Sequence, residues 1–208
     1  MKALIQSAKQ FLEDFHPMPQ NALTISMPII QSKESALREL LSTINQNPPD
    51  NAILPFSVFK KVHFARFLLL EGAEHPETYA TSLVFMANID GKTTDFIDDM
   101  LKLVTKGLDQ ILCMCIAYPN KSKRTLASRK KFLTSHTIGC QAFYINTVGR
   151  SATMIRQEDE LRDALQLFLN DIAPNSFDSS RTLRREVIKF VRNNPEISWA
   201  LASRPQPS

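Results

Sequence analysis

Two apolar segments of nine residues each constrain this chain more than any other feature. Residues 62–70 read VHFARFLLL, residues 81–89 read TSLVFMANI, and the polar segment EGAEHPETYA joins them. β-Branched and aromatic residues favour strands, and runs that are apolar on both faces are typical of strands buried between two layers. We therefore expect a central β-hairpin with structure covering both of its faces.

The segments before the hairpin predict a helix, a strand and a second helix. Residues 2–15 carry apolar side chains at helical spacing. Residues 22–30 (ALTISMPII) alternate in the manner of a strand, and Pro28 marks its end because proline cannot donate to a ladder. The next amphipathic helix is predicted over residues 32–44.

The segments after the hairpin are mostly helical in pattern. A long helix is predicted over residues 94–115, followed by a basic loop and a short helix that ends near His136. Residues 140–148 (CQAFYINTV) alternate like a fourth strand. Two further helices are predicted over residues 152–170 and 181–193.

This order of elements predicts an α+β fold. A helix is followed by β-α-β-β-α-β, which matches the ferredoxin-like antiparallel sheet, and then by two C-terminal helices. We expect residues 1–21 to form an N-terminal amphipathic helix and residues 22–150 the ferredoxin-like core. We expect residues 151–208 to form a C-terminal helical extension with a disordered tail. Two helices cover one face of such a sheet, so additional helices or a partner's sheet must cover the other.

Composition favours a cytoplasmic protein. The three cysteines, Cys113, Cys115 and Cys140, are odd in number and lack metal-ligand spacing, which indicates a reducing compartment and no metal site. No stretch approaches the roughly 20 apolar residues that cross a bilayer, so we expect no membrane span. The N-terminus also lacks the uninterrupted apolar core of a signal peptide.

The chain is mildly basic, with a net charge of +4. Residues 121–131 contain six cations and no acid. No nucleic-acid-binding motif surrounds this segment, and solubility explains mild basicity equally well. We expect a solvated loop there and no nucleic-acid partner. The alternative is nucleic-acid binding by residues 121–131 and the helix at 181–192.

Polar residues on the hairpin are the first candidates for a functional site. His63 and Arg66 are an odd number of positions apart, so alternation places them on opposite faces. A buried arginine needs an anionic ligand or a structural partner such as Asp90, Asp98 or Glu160. His63 could act as a general base or ligand, or simply be hydrogen-bonded in the core.

Two glycine-containing turns give further candidates. The simplest interpretation of Asp90 and Gly91 is a turn in which Gly91 has an unusual φ. A catalytic role for Asp90 is also compatible with this position. Arg150 follows Gly149 at the start of a helix. It could bind an anion there, or pair with an acid on helix 94–115.

Five segments together resemble a poorly characterised bacterial family with a ferredoxin-like, dimeric α/β-barrel architecture. They are LTISMPI, VHFARFLLL, LVFMANIDG, DFIDDM and FYINTVGRSATMIRQEDELRDAL, within residues 22–170. The architecture is distantly similar to that of dye-decolorising peroxidases, chlorite dismutases and small monooxygenases. Several of these bind haem or an aromatic substrate between sheet and helices. Residues 88–91 are similar to the end of the peroxidase motif Gly-x-x-Asp-Gly, with Ala87 in place of its first glycine.

The resemblance and the hairpin residues together predict a ligand-binding protein. It would be haem-associated and oxidoreductase-like, with a pocket between the sheet and the additional helices. The candidate catalytic residues are His63, Arg66 and Asp90. The candidate cofactor-binding residues are Asn88, His136, Tyr144 and Arg150. The expected ligand is haem or a small aromatic acid, and a homo-oligomer is expected.

The alternative is a non-enzymatic module. In that case the hairpin forms a homodimer or binds a larger partner, and its polar residues only satisfy one another. Whether the protein is an enzyme stays open at this point, because no signature of a common catalytic site is present.

Overall fold

The computed structural model describes residues 19–71, 81–172 and 179–201. Over these residues the chain is a mixed α+β protein with a four-stranded antiparallel sheet and six α-helices. The helix predicted over residues 2–15 and the C-terminal tail lie outside the described residues.

The described chain divides into two compact units. Residues 19–146 form the sheet-containing unit. Residues 147–172 and 179–201 form a smaller helical unit.

Four strands form the sheet: β1 (Gln20–Pro28), β2 (Val62–Leu70), β3 (Ser82–Asp90) and β4 (Thr137–Ile138). Their order is β2-β3-β1-β4, and each neighbouring pair is antiparallel. β1 and β2 therefore run in the same direction on either side of β3. The predicted hairpin is confirmed, with β3 as a central strand and β2 at one edge of this four-stranded sheet.

Four of the helices belong to the sheet-containing unit: α1 (Glu34–Gln46), α2 (Thr93–Leu103), α3 (Thr105–Leu112) and α4 (Leu126–Ser135). The other two, α5 (Ala152–Asn170) and α6 (Ser180–Asn193), belong to the helical unit. None of the helices in the described ranges has the length and apolarity that crossing a membrane requires.

The inner face of the sheet carries the hydrophobic core. Leu23, Ile25 and Met27 of β1 are almost completely buried, as the predicted alternation requires. The register continues this face into β3, where Phe85 pairs with Ile25 and Ala87 pairs with Leu23. Apolar residues of α1 to α4 belong to the same cluster, so these helices cover the inner face.

On the outer face of the sheet, the prediction that both apolar strands are buried between layers is wrong for one strand. Phe64 is 75% exposed and Leu70 is 53% exposed, both on β2. Val84, on the central strand β3, is buried. The prediction is wrong for β2 because its outer-face side chains have a neighbouring strand on one side only.

The helix predicted over residues 94–115 is broken into α2 and α3. Val104, between them, has φ −132° and ψ 29°, which is not helical. The Thr105 hydroxyl donates to the carbonyl of Leu101, a local bond that competes with the helical backbone ladder. The apolar residues predicted for the buried stripe are nevertheless buried, namely Phe96, Ile97, Met100, Leu101, Val104, Leu108, Ile111 and Leu112.

The fourth strand lies earlier in the chain than predicted. β4 contains only Thr137 and Ile138, and residues 140–148 have no strand structure. The backbone reaches β1 directly where α4 ends, and the amide of Ser26 donates to the carbonyl of His136 at 3.0 Å. Alternation in residues 140–148 is compatible with a strand, but the end of α4 decides which residues can pair.

The helical unit has the predicted helices. α5 covers the predicted residues 152–170, and α6 begins one residue before its predicted start. The turn before α5 uses Gly149 at φ 81°, and the Ser151 hydroxyl caps the helix by accepting from the amide of Met154 at 3.1 Å. Phe168 of α5 stacks on Phe190 of α6, with ring centroids 4.3 Å apart.

Candidate functional site

His63 occupies a β-bulge at the start of β2. Val62 pairs with Ile89 and Phe64 pairs with Asn88, so His63 is an extra residue opposite two consecutive positions of β3. The bulge shifts the alternation by one residue, which places Val62 among the residues packed against the core together with Ala65. The face of His63 could therefore not be predicted from residue parity.

The bulge brings His63 to the carboxylate of Asp90. The Nε2 atom donates to Oδ1 of Asp90 at 2.8 Å, and the two side chains are only 9% and 1% exposed. A carboxylate that accepts from one ring nitrogen fixes both the tautomer and the orientation of the imidazole. Two of the three predicted catalytic residues are thus in direct contact.

The other ring nitrogen of His63 determines what this pair can do. Within the described part of the chain, Nδ1 has no hydrogen-bond partner. With Nε2–H directed to the carboxylate, Nδ1 is the acceptor of the neutral ring. Nδ1 is bonded to the ring carbon that carries Cβ and is the more hindered nitrogen, so accepting a proton from a small group suits it better than axial ligation of haem iron.

The turn after β3 holds Asp90 in place. Gly91 has φ 85°, which confirms the predicted unusual backbone at this glycine. Its amide donates to the carbonyl of Pro19 at 2.9 Å, and its carbonyl accepts from the Asn21 side chain at 2.9 Å. The start of β1 therefore positions the turn, a role that sequence reasoning did not assign to Asn21.

Arg66 lies on the outer face of β2, opposite Met86 of β3. Its Nη2 atom is 3.5 Å from the sulfur of Met86, the single polar contact of this guanidinium within the described ranges. Asp98, one of the predicted partners, pairs with Lys130 instead. The expectation that Arg66 is buried is wrong, because β2 is an edge strand and its outer face is open.

We use the name outer face for the following residues, taken strand by strand: Phe64, Arg66, Leu68 and Leu70 of β2, Ser82, Val84, Met86 and Asn88 of β3, and Ala22, Thr24 and Ser26 of β1. The exposed part lies along β2, where three large apolar side chains flank one arginine. Asn88 is half-buried between Phe64 on one neighbouring strand and Ala22 on the other. Arg66 and Asn88 thus share one surface, and His63 and Asp90 contact each other at the end of the same two strands.

His136 closes a helix. Its Nδ1 atom is 2.8 Å from the carbonyl oxygen of Phe132, and the two rings are 4.3 Å apart between centroids. These contacts hold the last turn of α4 against the start of β4. His136 therefore has local structural partners, and the predicted cofactor-binding role stays a prediction.

Tyr144 and Arg150 each have a polar partner close in the sequence. Tyr144 is 83% exposed, and its hydroxyl donates to the side chain of Asn146 at 3.1 Å. Arg150, in the helical unit, pairs with Glu158 of α5. The two predicted roles of Arg150, anion binding and a pair with an acid on helix 94–115, stay predictions.

A polar cluster that sequence reasoning missed joins α3 to α4. The Asp109 carboxylate accepts from Arg129 through Nε at 2.9 Å and Nη2 at 2.6 Å, in the two-pronged geometry of a strong ion pair. The Tyr118 hydroxyl donates to the same carboxylate. Arg129 also donates to the carbonyl of Arg124 at 3.0 Å, which fixes the intervening loop.

The electrostatics of this cluster are those of a structural ion pair. The hydrogen bond from Arg129 holds the pKa of Asp109 below its ordinary value of 3.8. Burial, followed by the hydrogen bond to Asp109, raises the pKa of Tyr118. At neutral pH the carboxylate and guanidinium are therefore charged and the phenol is protonated. Part of the basic segment 121–131 is thus not simply solvated, contrary to expectation.

Comparison with protein-family models, with curated proteins and with solved structures finds no match to this chain. Within the described residues, no group of three or more His, Cys, Asp or Glu side chains is arranged to hold a metal ion.

Proposed function

We propose that this protein binds a flat, largely apolar ligand with an acidic group on the outer face of its sheet. Haem and small aromatic carboxylic acids are ligands of this kind. The observation that carries the proposal is the position of Arg66, a cation between the exposed side chains of Phe64 and Leu68. Its guanidinium has a thioether as its only polar contact among the described residues.

The chemistry of this surface suits such a ligand. A guanidinium presents a planar fork of donors that matches a carboxylate, and a ring can pack on the adjacent phenyl group of Phe64. Met86 contributes a polarizable sulfur beside the arginine, which adapts to flat ligands. Asn88, on the same face, adds an amide that can donate or accept.

The pair of His63 and Asp90 supplies a further element of the proposal. If the bound ligand is a substrate in an oxidoreductase-like reaction, Nδ1 of His63 is the atom that would accept a proton, and Asp90 is its positioning residue. The proposal of binding does not depend on this step.

We also propose that the sheet is ferredoxin-like, as the resemblance to the bacterial α/β-barrel family implies. The order β1-α1-β2-β3-α2, with β3 between β1 and β2, supports this assignment. The support from β4 is limited to two paired residues.

A second candidate function is homodimer formation through the same face. It is favoured by the exposed apolar side chains of Phe64 and Leu70 on one edge strand and Ile138 on the other. A second copy of this sheet would bury them, as packed sheets do when they face each other. Such a dimer would enclose Arg66 and any ligand bound to it.

We propose a cytoplasmic location on the basis of the thiols. Cys113, Cys115 and Cys140 are all free, and two of them are exposed. Exposed free thiols persist in a reducing compartment.

Calorimetric titration of the full chain with 2-naphthoate, and absorbance titration with haemin, test the binding proposal. We expect saturable binding of at least one of the two at micromolar to millimolar ligand. Absence of heat and of a Soret change with both ligands would contradict the proposal.

Sedimentation equilibrium tests the second candidate function, homodimer formation. A homodimer has twice the chain mass of 23.6 kDa, and Phe64→Glu should restore the monomer.

A further inference from the structure

A polar cleft of about 450 Å³ lies in the sheet-containing unit, at the end of α3. Cys113, Cys115, Ala117 and Tyr118 belong to its lining. Two hydrogen bonds attach this segment to the end of β1, from Ile30 N to Met114 O at 2.9 Å and from Ile116 N to Pro28 O at 2.8 Å. The lining also includes Ile30, Pro119, Asn120, Lys123 and Arg124.

Arg124 has donors available at this cleft. Its Nε atom donates to the carbonyl of Pro119 at 2.9 Å, and its guanidinium lies 5.2 Å from the ring centre of Tyr118. These contacts fix the plane of the group. Within the described ranges, its two terminal nitrogens have no hydrogen-bond partner.

Lys123 adds a second cation without an acidic partner among the described residues. The carboxylate of Asp109 interacts electrostatically with Arg124. Arg129 already neutralises this carboxylate through two hydrogen bonds. The cleft is therefore electropositive, since its lining includes the consecutive cations Lys123 and Arg124.

The backbone of the cleft is held in an uncommon conformation. Ala117, in its wall, has φ 63°, the left-handed region that residues with a Cβ seldom adopt. Such strain costs about 1 kcal/mol or more and persists only where surrounding contacts impose it. Here it turns the chain between Ile116, tied to β1, and Tyr118, tied to Asp109.

We propose that this cleft binds the phosphate group of a small phosphorylated compound. A planar guanidinium fork next to a point-charge ammonium matches a tetrahedral dianion, and the amide of Asn120 can supply a further hydrogen bond. A volume of about 450 Å³ accommodates a small metabolite. Ile30 and Pro119 offer apolar contact for the rest of the molecule. This site is distinct from the outer face and does not depend on the function proposed for it.

Cys113 provides a reporter within the cleft. Its thiol is exposed, whereas burial raises the pKa of the Cys115 thiol to about 12 and leaves it unreactive at neutral pH. In a Cys140→Ser background, alkylation by iodoacetamide therefore reports mainly on Cys113. We expect pyrophosphate to slow this alkylation in a saturable manner, and sodium chloride of equal ionic strength to have little effect.

Matched variants assign the effect to the cleft. Lys123→Gln with Arg124→Gln should weaken protection by pyrophosphate by about 100-fold, about 10-fold for each charged donor. Lys121→Gln with Lys131→Gln removes the same charge from the same segment outside the cleft lining and should leave protection within about 3-fold. Lys123 is exposed, so Lys123→Gln alone tests the site even if Arg124→Gln disturbs folding.

Three results would overturn the proposal. One is protection by sodium chloride equal to that by pyrophosphate, and another is equal weakening by the two pairs of variants. The third is tight binding of a single-stranded oligonucleotide to the basic segment that pyrophosphate does not displace. Failure here leaves the outer-face proposal intact, because that proposal is tested with different ligands and with Arg66.

Discussion

Asp90 and His63 show how much a single pair of residues can depend on local backbone geometry. They are 27 positions apart, and their contact requires both the bulge in β2 and the turn at Gly91. The candidates themselves could be selected from the sequence, because polar residues on apolar strands need a reason to be there. Their contact could not be predicted, since no periodic pattern in the sequence indicates a β-bulge.

A double-mutant cycle measures this contact. Asp90→Ala alone should reduce the free energy of unfolding by about 2–3 kcal/mol, because it leaves a buried imidazole donor without its acceptor. His63→Ala and the double variant complete the cycle. We expect a coupling energy of about 1–2 kcal/mol from urea denaturation, and additive effects would show that the pair does not stabilise the fold.

Asp109 gives the fold a pH dependence with a definite sign. Its pKa is lower in the folded protein than the ordinary value of 3.8, chiefly because Arg129 donates to it. The stabilisation is therefore fully present above that ordinary value and is lost as the pH falls through the lower, folded-state pKa.

Asp109→Asn should remove this component. We expect the variant to lose about 2 kcal/mol of stability at pH 7 and to show a weaker loss between pH 5 and pH 2 than the natural chain. Asp50→Asn, at an exposed carboxylate, is the matched control. Parallel stability–pH curves for the natural chain and Asp109→Asn would contradict the assignment.

At the scale of elements, apolar periodicity predicts which residues are buried but not where helices and strands begin and end. The buried stripe of residues 94–115 is correct at every predicted apolar position, yet the helix is broken at Val104. Alternation predicts the fourth strand in residues 140–148, whereas pairing with β1 occurs at Thr137 and Ile138. Apolar spacing records burial, whereas breaks and strand pairing depend on contacts between distant segments.

Gly107 identifies one such contact. A Cβ atom at this position would lie 1.6 Å from the carbonyl oxygen of Ile53, so the backbone of residues 51–54 must pack directly on α3. Alanine is favoured over glycine in a helix by about 1 kcal/mol, but a backbone clash of this size should outweigh that gain.

We therefore expect Gly107→Ala to lower the free energy of unfolding by more than about 3 kcal/mol in urea denaturation. Gly139→Ala is the control, because its Cβ would have a nearest neighbour at 3.8 Å and a φ that alanine tolerates. We expect it to change stability by less than about 0.5 kcal/mol. Similar effects of the two substitutions would show that α3 and residues 51–54 can separate.

At the scale of the whole molecule, one surface of the sheet is covered and the other is partly open. The sequence predicts the α+β class and the central hairpin, because two long apolar runs that are consecutive in the chain can form few structures other than paired strands. The exposure of β2 did not follow, since its sequence is as apolar as that of β3. What distinguishes the two strands is their place in the sheet order, which local sequence does not encode.

The open face gives Arg66 its importance in the proposed function. Replacing it by methionine keeps an extended apolar side chain and removes the charge and the donors. Arg181→Met is the matched control, since Arg181 is exposed on α6 in the helical unit. Neither change affects a core residue.

The most direct test of the central proposal is the dissociation constant of 2-naphthoate or haemin for the natural chain and these two variants. We expect Arg66→Met to weaken binding about 10-fold, the loss of one charge-assisted interaction of about 1.4 kcal/mol, and Arg181→Met to leave it unchanged. Equal affinity of Arg66→Met and the natural chain would contradict the proposal that the outer face, with Arg66 as its anchor, is the ligand-binding surface.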